Sequence, residues 1–296
     1  MQLNKFAAID VGSNGVRLLI SNVISFKKKE TQFNKSALVR VPIRLGEDVF
    51  TTGKISEINR NRMCDAMTAF RLLMKVYGVE KFKACATSAM REANNKEEII
   101  QYIFDNSEIK IDIIDGKTEA EIISSTDLHE LIKNDKSYLY VDVGGGSTEF
   151  TFFSNGQILD SRSFRLGTVR ILDKKVNEQI WLDVKRWIKE KSNEFSEISM
   201  IGSGGNINKI FKLSGKAPGK TLSYIYLNSY YNFLNQMTYD QRISKLDLNP
   251  DRADVIIPAT KIYLAAMKWS KANKIYVPKI GLSDGIIKTL YQGKFD

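Results

Sequence analysis

One short motif occurs twice in this chain, once near its start and once near its middle. The segments Ala8-Ile-Asp-Val-Gly-Ser13 and Tyr140-Val-Asp-Val-Gly-Gly145 each combine an apolar run, an aspartate and a glycine turn in the same order. An apolar run resumes after each turn, which predicts a strand, a tight loop and a second strand both times. An internal repeat of about half the chain length predicts two lobes that are built on one plan.

The segments after each motif alternate between helical and strand-like patterns. Residues 55–77 carry apolar side chains at helical spacing, and short strands are predicted at 82–86 and 109–114. The dipeptide Asn155-Gly156 is typical of a type I′ hairpin turn. Further helices are predicted at 116–131, 178–191, 206–213, 224–236, 239–244, 252–270 and 283–291. This alternation predicts mixed-sheet α/β lobes at 1–115 and 116–282, with residues 283–296 able to pack back on the first lobe.

The chain is basic, which favours anionic partners but does not distinguish among the classes of anionic partner. Its 296 residues carry a formal net charge of +10, and 43% of them are hydrophobic, which is enough for a folded core. A positive balance points to nucleic acid, an anionic membrane or a polyphosphorylated small molecule. The basic residues are spread along the whole chain, and the longest run, 27–29, holds only three lysines. No nucleic-acid-binding motif accompanies the charge, so we expect no nucleic-acid partner.

The histidine and cysteine content excludes several kinds of site. The single histidine, His129, rules out metal sites built on several histidines and is expected to be a surface or packing residue. Cys64 and Cys85 lie in apolar surroundings, which predicts buried free thiols in a reducing compartment. No signal-peptide core and no stretch of roughly 20 apolar residues occurs. We therefore expect a cytoplasmic protein with no membrane contact.

The two glycine turns are candidate phosphate sites. A glycine-rich turn after a buried strand exposes several backbone N–H groups, which together can bind an anion. Asp10 and Asp142 would repel phosphate unless a divalent cation or a water lies between them. Two such turns facing each other across a cleft would hold a phosphate chain from both sides, and a third turn at 202–205 adds to the pattern. The alternative is that the glycines only make turns that the aspartates cap.

Two familiar nucleotide-binding patterns do not occur in the sequence. No Gly-x-Gly-x-x-Gly opens a helix, which excludes a Rossmann site. No complete Gly-x-x-x-x-Gly-Lys-Ser/Thr pattern is present, which excludes a P-loop. The turns therefore match neither of these classes.

Eight motifs follow one another in a fixed order along nearly the whole chain. They are Ala8-Ile-Asp-Val-Gly-Ser-Asn14, Ala86-Thr-Ser-Ala-Met-Arg-Glu-Ala93, Thr118-Glu-Ala120, Val141-Asp-Val-Gly-Gly-Gly-Ser-Thr-Glu149, Leu166-Gly-Thr-Val-Arg170, Gly202-Ser-Gly-Gly205, Arg252-Ala-Asp-Val-Ile256 and Ser283-Asp-Gly-Ile286. Together they resemble the exopolyphosphatase / guanosine pentaphosphate phosphatase family, in the actin–sugar kinase–heat-shock 70 superfamily. The resemblance implies two actin-like (ribonuclease H-like) lobes, each a mixed sheet flanked by helices, with a cleft between them.

The resemblance also assigns catalytic roles. The family's catalytic glutamate, which directly precedes an alanine, falls on Glu119, and a carboxylate there can accept a proton from the water that attacks the terminal phosphorus. Phosphoryl transfer depends on positioning and charge neutralisation. This implies that Arg91 neutralises charge and that Glu149 positions the water or the metal. The alternatives are a surface salt bridge for Arg91 and a strand-edge charge for Glu149.

The same resemblance implies the ligands of the phosphates and of a Mg²⁺ ion. The metal-binding residues would be Asp10 and Asp142. The phosphate-binding residues would be Gly12, Ser13, Asn14, Gly144, Gly145, Gly146, Ser147, Thr148 and Gly204. The expected substrate is inorganic polyphosphate or the guanosine polyphosphate pppGpp, because both end in a phosphoanhydride. Family relatives are often dimeric, so a homodimer is a further expectation.

Two departures from the family pattern keep a second function open. Gly15 stands where the family commonly has serine or threonine, and Thr118 replaces the first glutamate of the family's Glu-Glu-Ala stretch. A weakly active or inactive sensor that binds (p)ppGpp or polyphosphate is therefore the alternative to a hydrolase. A kinase of the same superfamily is a third hypothesis, which the Glu119 and Arg91 segments disfavour because they match the phosphatase branch.

Basic residues near the turns are candidates for the rim of a phosphate track. They are Arg165, Arg170, Lys209 and Arg252. Larger family members carry C-terminal helical domains that lengthen this track. We therefore expect a short track that holds only a few phosphates.

Overall fold

The computed structural model describes residues 1–27, 29–126, 132 and 136–295. The chain divides into two compact units, Met1–Thr126 with Gly281–Asp296 and Asp127–Ile280. The division differs from the predicted boundary at 115/116, because residues 116–126 belong with the first half of the chain. His129 lies outside the described residues, as does the end of the helix predicted at 116–131.

The first unit contains one mixed sheet. Its strands are β1 (Gln2–Val11), β2 (Val16–Ser25), β3 (Gln32–Val41), β4 (Lys81–Ala86) and β5 (Ile111–Ile113). The strand order is β3-β2-β1-β4-β5, antiparallel from β3 to β1 and parallel from β1 to β5. The helices are α1 (Leu45–Thr52), α2 (Glu57–Tyr77), α3 (Ser88–Glu92), α4 (Lys96–Ser107) and α5 (Gly116–Ser124).

The second unit repeats this sheet. Its strands are β6 (Ser137–Val143), β7 (Thr148–Ser154), β8 (Gln157–Phe164), β9 (Ile198–Ser203), β10 (Thr221–Ser223) and β11 (Lys274–Tyr276). The order β8-β7-β6-β9-β11 has the same directions as β3-β2-β1-β4-β5, and β10 is added antiparallel at one edge. The predicted repeat of a mixed-sheet α/β plan is therefore confirmed.

The helices of the second unit follow the predicted pattern with two differences. They are α6 (Thr168–Leu172), α7 (Glu178–Ser192), α8 (Gly205–Leu213), α9 (Tyr224–Gln236), α10 (Tyr239–Leu246), α11 (Pro250–Ala253) and α12 (Ile256–Ser270). The helix α6 was not predicted, since it is only five residues long. The single helix predicted at 252–270 is broken after Ala253. Pro258 disfavours a continuous helix there for two reasons. Its ring would clash with the carbonyl four residues earlier, and proline has no backbone N–H to donate to that carbonyl.

Local signals explain where other elements begin and end. The Ser56 side chain accepts a hydrogen bond from the Asn59 N–H and so caps α2. Asn155 and Gly156 have φ values of 51° and 75°, as the predicted type I′ turn between β7 and β8 requires.

Each unit contains buried apolar side chains of its own. In the second unit, Phe150 and Phe152 of β7 are fully buried and their rings contact Trp187 of α7, with centroids 6.4 and 5.3 Å away. In the first unit, Phe70 of α2 is similarly buried. Burying such a side chain contributes about 1.5–3 kcal/mol. These cores hold the strands that end at the glycine turns.

The last helix, α13 (Leu282–Tyr291), returns to the first unit, where it packs against β1 and α5. Cys64 and Cys85 are free and buried in this unit, as predicted. None of the helices in the described ranges combines the length and the hydropathy that a membrane span needs.

Candidate active site

The first glycine turn joins β1 to β2 and contains the predicted residues Gly12, Ser13 and Asn14. A hydrogen bond of 3.2 Å from the Gly12 N–H to the Gly15 carbonyl closes it. The Ser13 hydroxyl shares a buried 2.8 Å hydrogen bond with the hydroxyl of Ser88, the first residue of α3. The turn is therefore fixed to the helix that follows β4.

The second glycine turn joins β6 to β7 and is closed in the same way. The Gly144 N–H donates to the Ser147 carbonyl at 3.0 Å. The turn also contains Gly145 and Gly146, so the predicted residues 144–147 form one loop, which Thr148 follows as the first residue of β7.

Three consecutive carbonyls of the second turn face the segment 166–170. The Gly144 and Gly145 carbonyls accept from the N–H groups of Thr168 and Val169, at 3.0 and 2.9 Å. The Gly146 carbonyl accepts from Nε of Arg170 at 2.6 Å.

These bonds fix the direction of the backbone N–H groups. In a trans peptide the carbonyl and the following N–H point to opposite sides of the chain. The N–H groups of residues 145, 146 and 147 therefore point away from the segment 166–170. Three consecutive N–H groups on one side of a turn form an anion-binding nest.

The close approach of Gly167 makes this arrangement possible. A Cβ at Gly167 would lie 2.2 Å from the Gly145 carbonyl oxygen and 2.4 Å from the Gly146 carbonyl carbon. The Thr148 hydroxyl donates to the Leu166 carbonyl in the same segment. That hydroxyl hydrogen is therefore directed at the backbone rather than at a ligand.

The strand register places both predicted metal ligands at matching positions. Asp10 of β1 pairs with Arg17 of β2, and Asp142 of β6 pairs with Glu149 of β7. The two copies of the repeat therefore differ in charge. Asp10 lies opposite the basic Arg17, whereas Asp142 lies opposite the acidic Glu149.

Asp10 is buried at the end of β1 and lies 3.5 Å from Nη1 of Arg17. Burial raises the pKa of this carboxyl, and the positive charges of Arg17 and Arg40 oppose the shift. The site consequently favours a nearby positive charge.

Glu149 is only 3% exposed, so it is not the strand-edge charge of the alternative interpretation. Its Oε1 accepts hydrogen bonds from the Ser147 hydroxyl at 2.7 Å and the Ser163 hydroxyl at 2.9 Å. Two hydroxyl donors on one oxygen fix the orientation of this carboxyl group. Glu149 is thus fixed to the second turn through Ser147.

Asp142 is half-buried at the end of β6. Its Oδ2 lies 3.2 Å from the Ser203 hydroxyl and 3.5 Å from the Tyr140 hydroxyl, which both donate to it. These two bonds limit the orientation of the carboxyl group, and Asp142 is a candidate for cation binding.

Glu119 lies in the first turn of α5 and is 8% exposed. Asp115 caps the start of this helix, since its side chain accepts from the Thr118 N–H at 2.8 Å. Hydrogen bonds from the Thr118 backbone and side chain lower the pKa of Asp115. Thr118, the departure from the family pattern, therefore helps to fix the start of the helix that carries Glu119.

Arg91 connects α3 to this same region. Its Nη1 donates to the Ile114 carbonyl at 2.8 Å, one residue before Asp115. The side chain is half-buried, so it does not form the exposed surface salt bridge of the alternative interpretation.

Cys85 lies between the carboxylates of the first unit. It pairs with Asp10 in the sheet and is fully buried. Burial raises the pKa of its thiol to about 12; Lys83 opposes the shift, whereas Asp10, Asp112 and Glu119 add to it. Asp10 and Glu119 are therefore both within electrostatic reach of one sulfur atom.

The third glycine turn follows β9 and begins α8. Gly204 adopts a φ of 113°, which only glycine readily accepts. A Cβ there would approach Asp142 Oδ1 to 3.4 Å, so the predicted residue Gly204 lies beside the second turn.

Three of the four basic residues predicted for the rim donate side-chain hydrogen bonds to backbone carbonyls. Arg170 is 7% exposed and bonds to the second turn, so it is not a rim residue. Arg252 donates to the Gly205 carbonyl at 2.8 Å, and Lys209 to the Asp247 carbonyl at 2.7 Å. Arg165 is exposed.

Five residues that contact the site lie outside the sequence predictions: Ser88, Arg17, Ser163, Ser203 and Tyr263. Ser88 and Ser203 lie inside quoted motifs, where hydroxyls beside a glycine turn could have indicated supporting roles. Arg17 could have been found from its position across the hairpin from Asp10. Tyr263 has no local signal, because it comes from a helix about sixty residues further along the chain than Ser203.

The acidic residues fit Mg²⁺ as single carboxylate ligands rather than as a closed cage. Within the described ranges no three histidine, cysteine, aspartate or glutamate residues cluster around a single point. Mg²⁺ in phosphate-handling proteins is commonly held by one or two carboxylates together with phosphates and waters. Single carboxylates such as Asp10 and Asp142 fit that mode.

The duplicated sheet and its matched glycine turns define a two-unit α/β protein of the actin-like class. The Ppx/GppA phosphatase family model matches residues 26–292, and the chain therefore belongs to the Ppx/GppA phosphatase family.

Individual proteins resemble the chain over most of its length. A bifunctional 3-dehydroquinate synthase/phosphatase of Fusobacterium nucleatum is 29% identical over 97% of this chain, which spans 46% of that protein. Exopolyphosphatase 2 of Mycobacterium tuberculosis is 25% identical, with 86% of this chain and 88% of that protein covered. The crystal structure of an exopolyphosphatase from Cytophaga hutchinsonii has a TM-score of 0.83 and 24% identity, with 98% of both chains covered. The structural likeness shows a shared fold.

We predict that Gly167→Ala distorts the second glycine turn. The added Cβ would overlap the Gly145 carbonyl, and such overpacking costs about 1–3 kcal/mol. The unfolding temperature should fall and the affinity for phosphate should decrease. Gly281→Ala is the matched control, because a Cβ there meets no atom within 4 Å. Unchanged phosphate binding by a folded Gly167→Ala variant would contradict the role given to the 166–170 segment.

Proposed function

We propose that this protein hydrolyses the terminal phosphoanhydride of inorganic polyphosphate or pppGpp and releases orthophosphate. The observation that carries the proposal is the second glycine turn, whose N–H groups at 145–147 point to one side. These groups suit the oxygens of a phosphate chain, and Asp142 suits a cation that accompanies it. The name of the Mycobacterium tuberculosis relative supports polyphosphate as the substrate class.

Glu119 is the proposed general base. It accepts a proton from water as the water oxygen attacks the terminal phosphorus and the bond from phosphorus to the bridging oxygen breaks. The remaining chain leaves with the bridging oxygen and its electron pair. The position of Glu119 at the start of α5, fixed by the Asp115 cap, supports this role because a base must be held in place to act.

Asp142 and Asp10 would hold Mg²⁺. A bound Mg²⁺ supplies positive charge that neutralises phosphate oxygens. The buried Asp10 supports this assignment because an added cation offsets the burial that raises its pKa. Glu149, fixed by two serine hydroxyls, would orient water near the second turn.

The remaining predicted residues contribute charge and backbone donors. Arg91 would neutralise developing charge while its Ile114 contact keeps it near α5. Ser13 and Asn14 would bind phosphate in the first unit, and Gly145, Gly146, Ser147 and Gly204 in the second. Gly12, Gly144 and Thr148, also predicted to bind phosphate, would shape the two turns, since the N–H groups of Gly12 and Gly144 close them and the Thr148 hydroxyl donates to the Leu166 carbonyl. A cytoplasmic location, a homodimer and the absence of a nucleic-acid partner stay predictions.

Glu119→Gln is predicted to lower kcat by about 10²–10⁴-fold, because the amide keeps the shape of the side chain and cannot take a proton. Substrate binding should change little. Phosphate release and equilibrium binding are measured separately. Glu121→Gln is the matched control, since Glu121 lies on the same helix and is exposed. A near-normal rate for Glu119→Gln at saturating substrate would remove Glu119 as the base.

Removal of divalent metal is predicted to abolish phosphate release, because aspartates beside a polyanion need a cation between them. The protein is treated with a strong chelator, dialysed and assayed before and after addition of Mg²⁺. Activity should return with Mg²⁺. Full activity in the chelator would remove the metal role from Asp10 and Asp142. Binding of polyphosphate or pppGpp without turnover under any condition would favour the sensor hypothesis instead.

A further inference from the structure

Ser203 connects the candidate cation ligand Asp142 to two other parts of the second unit. It is the last residue of β9, is 1% exposed and pairs with Asp142 in the sheet. Its hydroxyl oxygen lies 3.2 Å from Asp142 Oδ2 and 3.0 Å from the carbonyl oxygen of Ile280. Ile280 is the last residue of the second unit.

Tyr263 holds Ser203 from the opposite side. It is fully buried on α12, and its hydroxyl donates to the Ser203 carbonyl. Burial and the charge of Asp142 raise its pKa, so the hydroxyl stays protonated and remains a donor. A Cβ on the next residue, Gly204, would lie 3.3 Å from this hydroxyl. The tyrosine, the glycine turn and the aspartate are therefore packed as one group.

The Ser203 hydroxyl has one hydrogen and two acceptors within reach. A charged acceptor binds a hydroxyl more strongly than a neutral carbonyl does. An ionised Asp142 therefore draws the hydrogen toward Oδ2. The bond limits rotation of the carboxylate about its χ2 angle, which is otherwise broad.

We propose that Ser203, held by Tyr263, is a positioning residue that orients the Asp142 carboxylate for the divalent cation. The inference rests on the proposed role of Asp142 as a cation ligand. Groups that orient a metal ligand through hydrogen bonds typically change metal affinity or activity by about 10–100-fold when removed. A purely structural serine would change stability without changing cation affinity.

The test measures cation binding apart from turnover. Mn²⁺ is titrated into the full-length protein without substrate, and the free ion is followed by electron paramagnetic resonance. We expect Ser203→Ala to weaken Mn²⁺ binding about 10–100-fold. Tyr263→Phe, which keeps the ring, should weaken it in the same direction because the Ser203 backbone loses its donor. Each variant's unfolding temperature shows whether it is folded.

Ser270→Ala is the matched control. Ser270 is also buried, and its hydroxyl donates to the backbone carbonyl of Ala266 at 2.8 Å. This variant should lose stability and keep the Mn²⁺ affinity of the parent protein. The concentration of Mg²⁺ that gives half-maximal phosphate release should rise for Ser203→Ala and stay unchanged for Ser270→Ala.

The outcomes separate this inference from the proposed function. Parent-like Mn²⁺ affinity in folded Ser203→Ala and Tyr263→Phe would overturn the positioning role even if the parent protein releases phosphate. Absence of Mn²⁺ binding by the parent protein would also overturn it. Weakened Mn²⁺ binding by the variants of a protein that releases no phosphate would support the positioning role and refute the proposed hydrolase.

Discussion

The structure of the candidate site depends on the bonds that turn three glycine-loop carbonyls toward the segment 166–170. Because each trans peptide then directs the next N–H the other way, these bonds create the proposed anion nest at 145–147. The fit depends on Gly167, where a side chain would overlap the loop. The buried Arg170 donates the third of these bonds, to the Gly146 carbonyl. Its side chain therefore lies on the side of the loop opposite to the N–H groups at 145–147.

The two units share one sheet topology but differ in the charged residues around their glycine turns. Both sheets share one strand order, and both turns close with a bond from the first residue to the fourth. The register then places Arg17 opposite Asp10 and Glu149 opposite Asp142. A buried carboxylate beside arginine and a second carboxylate beside hydroxyl donors are different electrostatic sites. The two units therefore keep one backbone plan while the charges around their turns differ.

Local sequence patterns predicted most of the turns and helices. The repeated turns, the type I′ hairpin at Asn155-Gly156 and most helices follow from glycine positions and apolar spacing. The break before α12 differs from the predicted single helix because Pro258, in the first turn of α12, disfavours a continuous helix. Arg170 was misassigned to the rim because its bond to Gly146 joins segments 24 residues apart. The contact between Tyr263 and Ser203 is equally non-local. The unit boundary differed from the prediction because α5 packs with the returning helix α13.

The most direct test of the hydrolase is orthophosphate release from polyphosphates of several lengths, pppGpp and ATP, assayed in parallel with Mg²⁺. We expect release from polyphosphate, from pppGpp or from both, at rates well above that for ATP. A folded protein that releases no orthophosphate from either polyphosphate or pppGpp would contradict it.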